Sequence, residues 1–129
     1  MNELIRVLVV DDDARFAGNM AKLLEAYGLF ADTVNSGEEA VKTLGRDAYD
    51  VVLLDMRLPG LTGTATLERL GEARVGARII VVTGHASPDD AAEFLRLGAF
   101  DYLLKPCKTE KLLEVIRRAH GSRTGATVG

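Results

Sequence analysis

The sequence has few of the features that mark secreted, membrane-spanning or nucleic-acid-binding chains. Its 129 residues include one cysteine, Cys107, so no disulfide can form within the chain, and a reducing compartment is indicated. The apolar run 5–10 is too short for a signal peptide or a membrane span, and three aspartates follow it. A net charge of −3 gives no basic footprint for nucleic acid. We therefore expect a cytoplasmic protein with no membrane partner and no direct nucleic-acid binding by this domain.

The sequence does contain a regular alternation of apolar runs and segments of helical period. The length suits one domain, and a hydrophobic content of 47% is enough for a core. Five segments with apolar residues three and four apart predict helices, and five apolar runs predict strands. The predicted strands are 5–10, 29–34, 49–55, 77–83 and 100–104. This alternation predicts an α/β fold, in which a doubly wound parallel sheet lies between two layers of helices.

Residues that favour helix ends mark the boundaries of these segments. Ser36 is a capping residue for the second helix, with Glu39 three residues later, and Ser87 is placed to cap the fourth. Asp13 is expected to begin the first helix, where the helix dipole favours an acid. The last helix is predicted over 109–119. We expect residues 1–120 to form the domain and 121–129 to be a flexible tail or the start of a linker.

Polar residues occupy the points where four of the predicted strands end. In an open parallel sheet the carboxyl ends of the strands share one edge, where ligands bind. These side chains should therefore converge on one small volume. They are Asp11, Asp12 and Asp13 after the first strand, Asp55 at the end of the third, Thr83 at the end of the fourth and Lys105 after the fifth.

A cluster of carboxylates of this kind predicts a divalent cation. Mg²⁺ prefers a few carboxylates together with several waters, and the cation offsets the repulsion between neighbouring aspartates. Lys105 adds a second positive charge, so the site should stabilise an anion such as a phosphoryl group. A carboxylate at such a site can itself be the nucleophile and form an acyl phosphate.

Four segments of the chain together resemble the receiver domain of two-component response regulators. The segments are VLVVDDD, DVVLLDMRLPGLTG, IIVVTGHA and GAFDYLLKP, in the order and spacing of that family, and the resemblance covers about residues 5–119. The resemblance implies a flavodoxin-like, three-layer α/β/α fold of (βα)5 type with strand order 2-1-3-4-5.

The resemblance also implies a role for each matching residue. Asp55 corresponds to the phosphorylated aspartate. Asp11 and Asp12 correspond to the acidic pair that holds Mg²⁺ or Mn²⁺, with Asp12 as a direct ligand and Asp11 acting through water. Asp55 and the backbone carbonyl of Arg57 complete the protein's share of the metal ligands.

Three further matches concern the switch that follows phosphorylation. Thr83 corresponds to the hydroxyl residue that moves to bond the phosphoryl group, and Lys105 to the lysine that pairs with it. Tyr102 corresponds to the aromatic residue that turns inward when Thr83 moves. Arg57 and His85 lie two residues beyond Asp55 and Thr83, where the family tunes the lifetime of the phosphoryl group.

The family resemblance implies partners as well. The phosphoryl group would come from a histidine of a sensor kinase or phosphotransfer protein. The domain would be a signalling phosphoacceptor and no enzyme in the usual sense, because it catalyses only its own phosphorylation and dephosphorylation. The face formed by the fourth helix, fifth strand and fifth helix would change its partners, and homodimerisation there is a hypothesis. The output domain or target protein is not identified by the sequence.

Three alternatives compete with this interpretation. Asp11 and Asp13 match the Asp-x-Asp spacing of haloacid dehalogenase-type phosphatases, although Arg15 departs from their pattern. A receiver fold could also signal without phosphorylation, but such domains usually lack one of the site residues. A flavin-binding flavodoxin-like domain is disfavoured because the segment DDDAR would repel a cofactor phosphate.

Overall fold

Five strands and five helices alternate along the chain in the computed structural model, which describes residues 4–123. The strands are β1 (Arg6–Val10), β2 (Phe30–Val34), β3 (Val51–Asp55), β4 (Arg78–Thr83) and β5 (Asp101–Leu104). The helices are α1 (Ala14–Ala26), α2 (Gly37–Leu44), α3 (Gly63–Glu72), α4 (Pro88–Arg96) and α5 (Thr109–Arg123). The predicted number and order of elements are confirmed, and each strand differs from its predicted limits by two residues or fewer.

The strands form one parallel sheet in the order β2-β1-β3-β4-β5. The central strands β1 and β3 are buried almost throughout, which explains why their sequences are continuously apolar. Because all strands run the same way, Val10 at the end of β1 lies beside Leu54, next to the last residue of β3. This register brings Asp11 and Asp55 to the same edge. The expected flavodoxin-like (βα)5 fold is confirmed.

Two hydrophobic cores lie on opposite faces of the sheet. One contains Val9 and Leu53 from the sheet together with residues of α1 and α5. The other contains Val10 and Leu54 together with residues of α2, α3 and α4. Neighbouring residues of a strand point to opposite faces, so each central strand contributes to both cores. The result is the expected three-layer α/β/α arrangement.

The helix starts are capped largely as the sequence predicts. Asp13 accepts hydrogen bonds from the backbone N–H groups of Arg15 and Phe16, and Ser36 accepts one from Glu39. Ser87 and Asp90 form a reciprocal capping box at α4. In a capping box, the carboxylate of Glu39 would accept a hydrogen bond from the N–H of the cap residue, Ser36. Here it accepts from the N–H of Asn35, one residue before the cap.

The last helix is longer than predicted, ending at Arg123 and not at Ala119. Gly121 and Ser122 suggest a helix end in the sequence, but the Ser122 hydroxyl donates to the carbonyl of Ala119 and accepts from Nε of Arg78 on β4. These bonds support the extra turn. The predicted flexible tail over 121–129 therefore overlaps this helix at 121–123, and its remainder, 124–129, lies outside the described residues. Within 4–123, no helix combines the length and apolarity that crossing a bilayer requires.

Candidate functional site

Three charged side chains meet at the carboxyl edge of the sheet. Asp11 follows β1, Asp55 is the last residue of β3, and Lys105 follows β5. Nζ of Lys105 lies 3.2 Å from Oδ2 of Asp11 and 3.7 Å from Oδ1 of Asp55. The sequence predicts that polar residues at the strand ends converge on one small volume. This is confirmed for Asp11, Asp55 and Lys105.

The two carboxylates that contact Lys105 are buried. Asp11 is 3% exposed and Asp55 is 6% exposed. Oδ1 of Asp11 accepts a hydrogen bond from the N–H of Asp13, and Oδ1 of Asp55 accepts one from the N–H of Arg57. Backbone donors in the turns that follow each strand therefore orient both carboxylates.

Burial is the largest influence on the acidity of Asp55 and raises the pKa of its carboxyl group above the usual range. The hydrogen bond from Arg57 opposes that increase, the negative charge of Asp11 adds to it, and the positive charge of Lys105 opposes it. The carboxylate is thus held in a partly dehydrated position where a nearby positive charge stabilises its ionised form. A second cation beside Asp55 would, like Lys105, favour the ionised carboxylate and lower its pKa.

Asp12 joins the two buried carboxylates to make a candidate metal centre. One carboxylate oxygen each from Asp11, Asp12 and Asp55 lie within 4.8 Å of one another. Asp12 is exposed, so the cluster opens to solvent on its side. Hard oxygen donors with a side open to solvent fit Mg²⁺ or Mn²⁺. Asp13 does not belong to this group, because its side chain caps α1.

Thr83 is buried at the end of β4, but its hydroxyl is engaged within its own loop. Oγ1 donates a hydrogen bond to the carbonyl of His85 at 3.0 Å and accepts from the His85 N–H at 3.4 Å. His85 itself is exposed. The structure therefore places Thr83 at the same edge as the charged residues, with its hydroxyl bonded to the β4–α4 loop.

Tyr102 is half-buried in β5 and packs against Phe94 of α4. The two rings meet edge to face, with centroids 6.2 Å apart. Phe94 belongs to the second core, so Tyr102 connects the edge strand to the inner side of α4. The contribution of Phe94 is not apparent from the sequence, where it is one apolar residue of a helical stripe.

With this geometry in place, comparison with known proteins identifies the family. The family model described as "Response regulator receiver domain" matches residues 7–117. The chain belongs to that family. The receiver domain acts in two-component phosphorelay signalling, and this membership excludes the phosphatase and flavodoxin alternatives.

Among the relatives of this receiver domain are full-length regulators and solved receivers. The transcriptional regulatory protein ZraR of Salmonella typhimurium is 34% identical over 95% of this chain, which spans 28% of ZraR. A CheY-like receiver from Methanospirillum hungatei is 30% identical, with TM-score 0.89 over 96% of this chain and 99% of that one. A response regulator from Burkholderia pseudomallei, solved with a phosphorylated aspartic acid, calcium ion and citrate, is 30% identical, with TM-score 0.81 over 95% of this chain and 73% of that one.

Two residues of the receiver site were not recognised as site residues in the sequence. Asn35, after β2, donates from Nδ2 to the backbone carbonyl of Asp11 and so fixes the β1–α1 turn. The ring of Phe16, in the first turn of α1, lies 4.4 Å from Nζ of Lys105. Phe16 is visible in the sequence as a helix-stripe residue, and nothing in the pattern indicates that its ring faces a lysine 89 positions later.

Proposed function

We propose that Asp55 is the phosphoacceptor of this receiver domain. The observation that carries the proposal is the position of its buried carboxylate, 3.7 Å from Nζ of Lys105 and within the Asp11–Asp12–Asp55 cluster. Asp55 ends a central strand, and its carboxylate is held by the Arg57 N–H. A nucleophile needs this kind of fixed orientation to attack in line.

Asp11, Asp12 and Asp55, with the backbone carbonyl of Arg57, would hold Mg²⁺ or Mn²⁺. When bound, the cation supplies charge neutralisation for the oxygens of the transferred phosphoryl group. Asp11 and Asp12 supply negative charge that attracts the cation, and the open side at Asp12 leaves room for waters and for a phosphoryl donor. The chemistry of the donor set supports this assignment.

Lys105 would stabilise the phosphoryl group from the other side. In phosphoryl transfer, catalysis consists mainly of positioning and of electrostatic stabilisation of the oxygens. The ammonium lies between two carboxylates and can pair with an anion attached to Asp55 without a large movement. The phosphorus–nitrogen bond to the donor histidine breaks as a phosphorus–oxygen bond to Asp55 forms, the imidazole leaves with the bonding electron pair, and the product is an acyl phosphate.

Thr83 and Tyr102 would convert this local change into a change of surface. To bond a phosphoryl oxygen, the Thr83 hydroxyl must leave the carbonyl of His85, which frees the β4–α4 loop. Tyr102 packs on Phe94 and would turn inward when Thr83 moves. The α4–β5–α5 face then changes its preferred partner through a shift between two packings.

The surroundings of the site would set how long the phosphoryl group persists. Arg57 and His85 are both exposed beside the site, where their side chains can meet an attacking water or a phosphoryl oxygen. The related regulator from Burkholderia pseudomallei, solved with a phosphorylated aspartic acid and a calcium ion, supports the same combination of acyl phosphate and divalent cation here.

The partners follow from the same proposal. Receiver domains interact with histidine kinases and with output domains, and this chain spans only about a quarter of the length of the curated relatives, which include transcriptional regulators. We propose a sensor histidine kinase or histidine phosphotransfer protein as donor and an α4–β5–α5 homodimer as one output. Light scattering before and after full phosphorylation tests the dimer, and an unchanged mass would contradict it.

The experiment that tests the acceptor is intact mass spectrometry after incubation with acetyl phosphate and Mg²⁺. We expect one phosphoryl adduct on the wild type and none on Asp55→Asn or in the presence of EDTA. Asp13→Asn is the matched control, because asparagine still caps a helix and the site charges remain. A folded wild type without an adduct would favour the alternative in which this receiver signals without phosphorylation. An adduct that persists on Asp55→Asn would place the acceptor elsewhere.

A further inference from the structure

Phe16 presents its aromatic ring to the ammonium of Lys105. Nζ lies 4.4 Å from the ring centroid, well inside the distance of about 6 Å at which a cation and an aromatic face attract each other. The same ammonium contacts Asp11 and Asp55. Lys105 is therefore surrounded by two carboxylates and one ring, which together leave 28% of its side chain exposed.

We propose that Phe16 is a positioning residue that holds the Lys105 ammonium ready to receive a phosphoryl group. This inference rests on the proposed function, in which Lys105 pairs with the group on Asp55. A lysine side chain has four rotatable bonds and loses rotamer entropy when it is fixed. A ring that holds the ammonium before the donor arrives removes part of that loss from the transfer step.

The third contact of the Lys105 ammonium is the ring of Phe16, and a carboxylate in its place would act differently on the charge of the lysine. A third carboxylate at this position would neutralise the ammonium further and would repel the incoming phosphoryl oxygens. The quadrupole of an aromatic face attracts the cation and leaves its full charge in place. Phe16 can therefore restrain Lys105 without reducing the attraction between Lys105 and an anion.

The ring is itself held in position by the start of α1. The backbone N–H of Phe16 donates to Oδ1 of Asp13, which fixes the first turn of the helix. The ring closes a small cavity of about 10 Å³ beneath the two buried carboxylates, together with Met20, Leu53 and Val82. Among residues 4–123, the partly buried side chains that pack against the two hydrophobic cores do not include Phe16. Its ring contacts the ammonium of Lys105 and borders the same cavity as Asp11 and Asp55, which supports a role at the site.

The test compares variants of Phe16 by the initial rate of phosphorylation with acetyl phosphate and saturating Mg²⁺. We expect Phe16→Leu to slow the reaction by about fivefold, within a range of roughly two- to thirtyfold set by the strength of cation–π contacts. Phe16→Tyr should restore the rate, because it keeps the aromatic face. Met20→Leu is the control, since it alters an apolar residue one turn along α1 that borders the same cavity and carries no ring. Equal rates for the leucine and tyrosine variants would overturn the proposal.

Two further measurements separate positioning from a structural effect. In a Lys105→Met background, Phe16→Leu should cause no further loss of rate, whereas the same fivefold loss there would overturn the proposal. By NMR, the ε-methylene protons of Lys105 should be shifted upfield by the ring current in the wild type and in Phe16→Tyr, but not in Phe16→Leu. Absence of that shift in the wild type would refute the contact.

Failure of the positioning role of Phe16 can be distinguished from failure of the proposed function. If the wild type forms no adduct on Asp55, the proposed function fails, and the NMR shift still reports whether Phe16 holds Lys105. If the adduct forms but Phe16→Leu reacts as fast as the wild type, only the positioning role fails. Thermal unfolding of each variant shows whether the protein tested is folded.

Discussion

Lys105 lies closer to Asp11 than to the proposed acceptor: its Nζ is 3.2 Å from Oδ2 of Asp11, against 3.7 Å from Oδ1 of Asp55. The lysine thus supplies a positive charge to the more deeply buried of the two aspartates. A divalent cation would take over that task and allow the ammonium to serve the phosphoryl group. Several consequences of this arrangement can be measured.

Removing the lysine should destabilise the metal-free protein. We expect Lys105→Met to lower the free energy of unfolding by about 1–3 kcal/mol, less than the loss for a fully buried pair because Lys105 is partly exposed. The loss should shrink in Mg²⁺, since the cation neutralises the same carboxylates. Urea unfolding with EDTA and with Mg²⁺ measures both values. Lys111→Met, which removes an exposed lysine paired with Glu114, should change stability by less than about 0.5 kcal/mol. If Lys105→Met lost the same stability with EDTA as with Mg²⁺, the cation would not be neutralising the carboxylates that Lys105 contacts.

Mg²⁺ should stabilise the folded protein through Asp12. A ligand present at 100 times its Kd adds about 2.7 kcal/mol to the free energy of unfolding, which raises the melting temperature. We expect Asp12→Asn to remove more than half of that increase, because it removes an acidic ligand from the cluster. Asp13→Asn changes the neighbouring charge but leaves the cluster intact, so it should keep the increase. Thermal melts with and without Mg²⁺ make the comparison, and equal behaviour of the two variants would argue against a defined metal site.

Two helix glycines should respond to alanine in opposite directions. A Cβ at Gly63, the first residue of α3, would lie 2.5 Å from the backbone Cα of Met56, in the loop that follows Asp55. Gly63→Ala should therefore destabilise the protein by about 1–3 kcal/mol. A Cβ at Gly18, inside α1, would meet no atom within 4 Å, so Gly18→Ala should stabilise by about 0.5–1 kcal/mol. Urea unfolding tests the pair, and changes of the same sign would be inconsistent with these contacts.

Tyr49 should make stability depend on pH under alkaline conditions. Burial, together with its hydrogen bond to Asp32, raises the pKa of Tyr49 from 10.0 to about 12. The unfolded chain releases this proton first, so the stabilisation is complete below pH about 10 and is lost as the pH rises to about 12. The stability advantage of the wild type over Tyr49→Phe should fall across that window. Urea unfolding of both proteins at several alkaline pH values checks this, and a constant difference would contradict it.

The fold was predictable because its inner strands, β1, β3 and β4, are buried on both faces of the sheet. Continuous apolar runs such as 51–54 could be recognised without knowledge of tertiary contacts. The position of Asp11, Asp55 and Lys105 was predictable for a related reason. Each lies where a strand of the sheet ends, and parallel strands bring their ends to one edge.

What the sequence did not reveal depends on contacts between distant residues. The end of α5 was placed too early because Gly121 and Ser122 favour a helix stop, whereas Arg78, 44 residues before Ser122, supports the last turn. The ring of Phe16 was assigned to a helix stripe, since its periodicity fits one. Its contact with Lys105 depends on how α1 and the end of β5 approach each other, which no local pattern encodes.

The charged site is assembled from the first strand, a central strand and the turn after the last strand. Asp11 is therefore made early during synthesis, but its partner Lys105 is made more than ninety residues later. A nascent or truncated chain that has not added β5 to the edge of the sheet has the proposed acceptor, Asp55, without Lys105. If Lys105 has the role proposed for it, phosphorylation of Asp55 would depend on completion of β5.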